Sequence, residues 1–466
     1  MRALLVLLIG LAQVTLGLSK TITASSGNAT DVQSAINSAG TGDTVQIPAG
    51  TFNWANGVSV KKQIKLYGAG TSTVINQNGS NTLVDLTAQP GGSVELAKIR
   101  FTRTPGQNGI FVVANGGGVP ILVHDVAFEN VQFGSRCMEW RTNGGVIYDC
   151  NFVSSDKSDN SGIAFKNPSS DSAWHEVDVM GDKDTNGDKN TYLEDCTFKD
   201  FFLQALDFDD NSRTVMRHCK FDNSAVASHG QETSAVGARQ WELYECEFIF
   251  TNGGNSNPSK QEYPLNMNLF LFIRGGGPGA CWNNKIPDIS SSAWGNKPEI
   301  KFNLYNIRRR GQVPCQTSYP AARQIGFGSD TQGRLVSSPV YFWGNTGAGN
   351  YANPALEDYN PDECGNGLHT ADFVKKGRDF FVDTEKPGYK PYAYPHPLRA
   401  GGSGPTPTPN PTPTATPPPQ PTPTPTPTPP PQPTPTPTPP PAGETYRNWL
   451  DLLSRWIEQH PAQPDQ

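Results

Sequence analysis

The sequence predicts an all-β solenoid, and three observations lead there. A short phrase recurs: Tyr148-Asp149-Cys150-Asn151-Phe152, Glu194-Asp195-Cys196-Thr197-Phe198, Arg217-His218-Cys219-Lys220-Phe221 and Tyr244-Glu245-Cys246-Glu247-Phe248. The steps between its cysteines are 46, 23 and 27 residues, and 46 is two steps of 23. Each copy also alternates in the period-2 manner of a strand. A period in the low twenties with such alternation describes a coil of two or three short strands, repeated. Coils stack about 4.8 Å apart, so equivalent residues form columns. Upstream, Val126-Ala127-Phe128 and Ile99-Arg100-Phe101 hold the same place with an aliphatic residue for the cysteine, and Asn284-Lys285-Ile286 is a fainter copy downstream. The ladder cysteines and phenylalanines are expected to point inward, the cysteines as small apolar filler.

Residues 1–19 read as a secretion signal: Arg2, an apolar run from Ala3 to Gly17, then small residues. No cysteine follows to carry a lipid anchor, and no later run of about 18 apolar residues suggests a membrane span. The expectation is an exported, soluble protein, secreted or held at the cell surface. Charged residues make up 17% of the chain and the net charge is −6, which argues against nucleic acid as a partner. Eight cysteines in an exported chain permit disulfides. Four belong to the ladder. The others, Cys137, Cys281, Cys315 and Cys364, allow three pairings that sequence does not choose between.

Residues 30–38 (TDVQSAINS) predict a short amphipathic helix, with Thr30 as N-cap and Val32, Ala35 and Ile36 on its apolar face. A strand over 43–47 follows, closed by Pro48-Ala49-Gly50. This helix and the "GDTVQIPAGTF" after it resemble the N-terminal cap and first coil of pectate-lyase-like right-handed parallel β-helices. Residues 377–399 resemble the closing segment of bacterial members of that superfamily. The resemblance spans roughly residues 22–399 and implies a right-handed parallel β-helix domain over 20–400, whose capping helix shields the open end of the stack. Regular coils are expected to about residue 290, interrupted by polar excursions at 167–190 and 251–268. Residues 291–345 are less regular, with a strand-like stretch at 299–307 and a late coil at 340–345.

Beyond residue 401 the composition changes. Residues 401–443 form a Pro/Thr-rich linker, expected to be disordered or extended as polyproline II and to carry O-linked sugars. Within 444–466, a short amphipathic helix is predicted over 445–459, with Tyr446, Trp449, Leu450, Leu453, Trp456 and Ile457 on one face. A lone helix of this length is marginal in water. It is expected to dock on its own β-helix, a second copy, an envelope component or a partner protein, or else to stay disordered.

Chemistry on a β-helix has to sit on the outside of the coils. Aligned on the ladder, one strand per coil places Trp140, Phe165, Phe208, Ser228 and Ile273 inward. The next residues form an outward column: Arg141, Lys166, Asp209, His229 and Arg274. Beside it run Glu139, Ala164, Asp207, Ala227 and Phe272. A slip of one residue would reverse every assignment. Cations at Arg141, Lys166 and Arg274 suit the carboxylates of an acidic sugar chain, and Asp209, Asp210 and His229 stand where acid–base chemistry would occur. Two reactions fit: β-elimination beside a uronate carboxylate, and hydrolysis between two carboxyl groups. The order Asp209-Asp210, His229-Gly230, Arg274 is similar to the Asp-Asp, His-Gly, Arg order of polygalacturonases. The Asn-x-Asp of that family is replaced by Phe165-Lys166-Asn167, and Arg274 is followed by glycines, so lyase and hydrolase both stay open. The other reading is a non-catalytic glycan-binding or adhesive module.

Asp182, Asp184, Asn186 and Asp188 begin like a Ca²⁺ loop, although its twelfth position is Leu193 and the glutamate falls one later, at Glu194. Arg213, Arg217, His218, Arg239 and Glu242 are expected to pair between coils. The basic run Arg308-Arg309-Arg310 reads as a solvated turn or an anion site. No Walker loop, dinucleotide fingerprint, zinc spacing or Gly-x-Ser-x-Gly elbow occurs.

Overall fold

The computed structural model describes residues 19–401 apart from 88–91, 117–119, 133–134, 143, 156–160, 167–186, 188, 202–203, 210–211, 229–237, 250, 252–268, 287–298, 310–313, 330–333, 348–349 and 359–361. The signal segment, the Pro/Thr linker and the C-terminal helix lie outside the described residues, as do Asp210, His229, Asp182, Asp184, Asn186 and Asp188.

Short strands follow one another around each coil and pair with their equivalents in the coils before and after. They build three parallel sheets: sheet A of twelve strands, and sheets B and C of ten each. This is a parallel β-helix, in keeping with the right-handed form that parallel crossovers favour. The register follows the repeated phrase. Phe101, Phe128, Phe152, Phe198, Phe221 and Phe248 stack inside sheet B with ring centroids 5.5, 4.8, 4.4, 5.3 and 5.0 Å apart. Cys150, Cys196, Cys219 and Cys246 are buried beside them with free thiols. Burial holds the Cys196 and Cys246 thiols in the neutral form.

The fainter copy extends this ladder by other means. Asn284 is buried, and its Nδ2 donates to Asn345 Oδ1 at 2.9 Å and to the Leu243 carbonyl at 2.9 Å. Asn284 Oδ1 accepts from the Cys246 backbone N–H at 3.0 Å. Where cysteine gives way to a polar residue, the column survives because each amide finds a partner.

The corner between sheets A and B explains the middle of the phrase. Asp125, Asp149, Asp195, His218 and Glu245 turn there with φ of 52°, 52°, 52°, 54° and 54°. Aspartate tolerates this left-handed region better than most residues.

At the N-terminus, α1 spans Ala29–Ser38 and buries Val32, Ala35 and Ile36. The N-cap position is Asn28 and not Thr30, and no side-chain bond caps it. The other end is closed by Lys62, whose Nζ donates to the carbonyls of Ile36, Asn37 and Ala39 at 3.2, 2.7 and 2.9 Å. A cation at a helix C-terminus satisfies free carbonyls and favours the dipole.

The late coil expected at 340–345 is present: sheet A continues through Val340–Trp343, and one more strand follows at Phe380–Val382. The strand-like stretch ends at Asn303, and Tyr305–Arg308 turns into the short helix α2. Cys315 is bonded to Cys364, while Cys137 and Cys281 are buried and free, so the four non-ladder cysteines form one bridge.

Candidate functional site

Two outward faces hold most of the chemistry. On sheet C, alternation within each strand places every second residue outside. Trp140 pairs in register with Phe165, and Phe165 with Phe208, on the inward side. Glu139, Ala164, Asp207, Ala227 and Phe272 pair in succession on the outward side. Arg141 pairs with Asn115, and Arg274 with Asn303, so the outward column runs beyond the residues singled out from the sequence. Lys166 and Asp209 donate their backbone N–H groups to Trp140 and Phe165 at 2.7 and 2.9 Å, which sets them in the same column.

Outward is not the same as exposed. The Arg141 side chain is 45% exposed and Lys166 is half-buried. Asp209 and Arg274, expected in an open column, are only 2% and 6% exposed. The physical reason is local. The chain turns at Asp209, whose carbonyl accepts from Ser212 N at 2.8 Å. Arg274 lies 4.6 Å from the Phe272 ring and 5.9 Å from the ring of Tyr305 on α2. Strand alternation specifies the side of a sheet, and the excursions between strands decide what lies above it.

The first cation of the column is also engaged. Arg141 donates from Nε to Glu139 Oε2 at 2.8 Å and from Nη2 to the same oxygen, while Arg136 Nη1 donates to Oε1 at 2.6 Å. Burial alone would raise the Glu139 pKa, but the two guanidinium groups hold it below the ordinary value. Two coils on, Asp207 is buried between Ala164 and Ala227 in the column, and Asp209 follows on the same strand. Sequence reasoning placed Asp207 outside but gave it no role. The small alanines in the neighbouring coils were the available signal.

The outward face of sheet A is built differently. After the last sheet A strand, residues 383–399 run back along it. Tyr389 Oη donates to Glu242 at 2.6 Å, and the Tyr389 ring meets Trp282 and Trp343 edge-on. The carbonyls of Tyr392 and Ala393 accept from Arg217 at 2.9 and 2.6 Å. Tyr394 stacks on His218 with centroids 3.7 Å apart. Arg399 donates to Glu194 and Asp195 at 2.8 and 2.5 Å, and its guanidinium lies 4.5 Å from the Tyr148 ring. Glu194 also accepts from Arg217 Nε at 2.9 Å, so the glutamate nearest the end of the calcium-like sequence is committed to two arginines. Arg217 with Glu194 and His218 with Glu245 make the inter-coil pairs expected of them.

North of this strap, toward the first coils, His124 bridges two carboxylates. Its Nε2 lies 2.7 Å from Glu95 and its Nδ1 2.8 Å from Asp125. Tyr67 donates to the same Glu95, and Lys65 pairs with it at 3.2 Å. Burial opposes the charged forms here, but the mutual bonds prevail. They lower the Glu95 pKa to about 2 and raise that of His124.

The sequence matches no protein-family model and no curated protein. Among solved structures the chain is similar to an alginate lyase from Paenibacillus sp. str. FPU-7, at 10% identity over 74% of this chain and 98% of that one, with a TM-score of 0.40. The Azotobacter vinelandii mannuronan C-5 epimerase A-module is similar at 13% identity over 72% and 89%, TM-score 0.35. The Aspergillus niger pectin methylesterase is similar at 13% identity over 74% and 90%, TM-score 0.35. The parallel β-helix rests on the sheets described above, and at these identities and TM-scores the likeness assigns no activity. Among the described residues no helix is long and apolar enough to cross a membrane.

Proposed function

We propose that the chain is an exported, polysaccharide-active β-helix protein whose outward sheet C face takes an acidic, uronate-containing chain and cleaves its glycosidic bonds. One observation carries the reading. Arg141, Lys166, Asp207 with Asp209, and Arg274 follow one another on the same face in register. Four coil steps separate Arg141 from Arg274, a span of about 19 Å at the usual strand spacing. A polymer laid along the axis would meet Arg141 and Lys166 at the surface, with Asp207, Asp209 and Arg274 buried on the same face. Arginine pairs with carboxylate through two parallel bonds, and lysine as a point charge.

Both reactions find residues for their roles. In hydrolysis Asp207, Asp209 and Asp210 are the candidate acid and base. In β-elimination His229, Lys166 or an arginine is the candidate base, and a neighbouring cation or Ca²⁺ stabilises the charge that develops beside the uronate carboxylate. A Ca²⁺ held by Asp182, Asp184, Asn186 and Asp188 would stabilise that segment and take no part in the chemistry.

A second reading, glycan binding without cleavage, is favoured by the burial of Asp209. The full chain incubated with uronate polysaccharides, with and without Ca²⁺, separates the two. New reducing ends with ultraviolet absorbance indicate elimination, and H229A then abolishes both. Reducing ends without absorbance indicate hydrolysis, with D209N and D207N the variants to follow. Retention of polymer with neither signal favours the binding module.

A further inference from the structure

Arg309, the residue after α2, ends a packed row that starts on sheet C. The Arg274 guanidinium lies 4.6 Å from the Phe272 ring and 5.9 Å from the Tyr305 ring, and the Arg309 guanidinium lies 5.8 Å from the same Tyr305 ring. Phe272 and Tyr305 are buried, whereas the Arg309 side chain is 36% exposed. Arg309 is therefore the end of the row that solvent reaches.

A second chain segment holds this end in place. The Cys315–Cys364 disulfide joins stretches 49 residues apart. The Cys364 N–H donates to the Arg308 carbonyl at 2.9 Å, and Arg308 Nη1 donates to the Leu368 carbonyl at 3.2 Å. Arg308 is thus a brace, and Arg309 is presented outward. Glu363 approaches Arg309 at 3.8 Å, an exposed pairing of the weak kind that a ligand carboxylate can replace. Asn303 is paired in register with Arg274 in the next coil.

We propose that Arg309 is an outer subsite for a carboxylate of the acidic sugar chain, positioned by Tyr305 and fixed by the Cys315–Cys364 bridge. The proposal rests on the reading of the sheet C face given above and extends that face past Arg274. The bridge adds a requirement: the subsite exists only while the two segments are joined.

The test is equilibrium binding of uronate oligomers of graded length to the full chain, with neutral oligomers as the control. R309A weakens the longest uronate oligomers roughly tenfold, the scale of one charge-assisted hydrogen bond, and leaves the shortest unchanged. R309K recovers part of the loss. A double C315S/C364S variant that keeps its far-ultraviolet spectrum shows the same length-dependent loss. If that variant does not fold, R309A alone still decides the matter. Equal binding of long oligomers by R309A and the unmodified protein overturns the subsite while leaving the sheet C reading intact. Wild-type affinity in the double cysteine variant overturns the role of the bridge. Failure of the unmodified protein to bind any uronate oligomer overturns both readings.

Discussion

On sheet A the outward column Tyr148, Glu194, Arg217, Tyr244, Trp282 and Trp343 lies beneath residues 383–399 of the same chain. On sheet C the outward column Asn115, Arg141, Lys166, Asp209, Arg274 and Asn303 has no such strap among the described residues. The same coils supply both columns. Beneath the strap, charge is matched within the protein: Arg217 and Glu194 are wholly buried, joined to one another and closed by strap carbonyls and Arg399. On sheet C the pairs at the ends are partly exposed, as in Arg141 with Glu139 and Lys301 with Glu357. One solenoid face has become internal structure; the other keeps Arg141 and Lys166 partly exposed, while Asp209, Arg274 and Asn303 are buried.

The sharpest way to break this contrast is to remove one charge from each face. R217A leaves Glu194 buried without its nearest partner, and the expected loss is roughly 3–5 kcal/mol of stability, read from urea denaturation. R141A removes a half-exposed guanidinium from the buried Glu139, which keeps Arg136, and is expected to cost roughly 1 kcal/mol, well below R217A. Similar losses in the two variants would erase the distinction.

The Glu95–His124 cluster gives the next effect, on acid and alkali. Glu95 has a folded pKa of about 2 against an ordinary 4.5, so it stabilises the protein above pH 4.5 and that stabilisation fades as pH falls toward 2. The shift corresponds to on the order of 3 kcal/mol. His124 has a raised pKa, so its contribution is complete below its unfolded value and is lost as pH rises through the folded one. Denaturation midpoints across pH should fall on both sides. E95Q should flatten the acid side and H124Q the alkaline side, and a profile unchanged in E95Q would remove the cluster from the account.

R399A tests the strap itself. It deletes charged hydrogen bonds to Glu194 and Asp195, worth roughly 2 kcal/mol. Protease cleavage within 383–399 should quicken in this variant and not in R141A.

Much of the fold is legible in the sequence because a coil repeats its own rules. The Cys-x-Phe phrase gives both inward columns, and period-2 alternation correctly sets Trp140, Phe165 and Phe208 against the outward residues. The left-handed corner was also available in principle, since Asp125, Asp149 and Asp195 occupy one fixed place. Burial of Asp209 and Arg274 was not available, because alternation is silent about what crosses above a sheet. The strap was hidden for a different reason: Arg217 meets Tyr392 across 175 residues, and no periodicity links them. The late coil at 340–345 was legible despite the 61-residue step from Asn284 to Asn345, whereas the last sheet A strand, Phe380–Val382, carries no copy of the phrase.

The most direct test of the central claim is retardation of the full chain in gels containing a uronate polysaccharide. The comparison is between R141A/K166A on sheet C and K220A/K285A on sheet B, where the same number of positive charges is removed from another face. The account predicts that the sheet C variant loses retardation and the sheet B variant keeps it. Equal loss in both would mean that the polymer responds to net charge alone, and would contradict a binding face on sheet C.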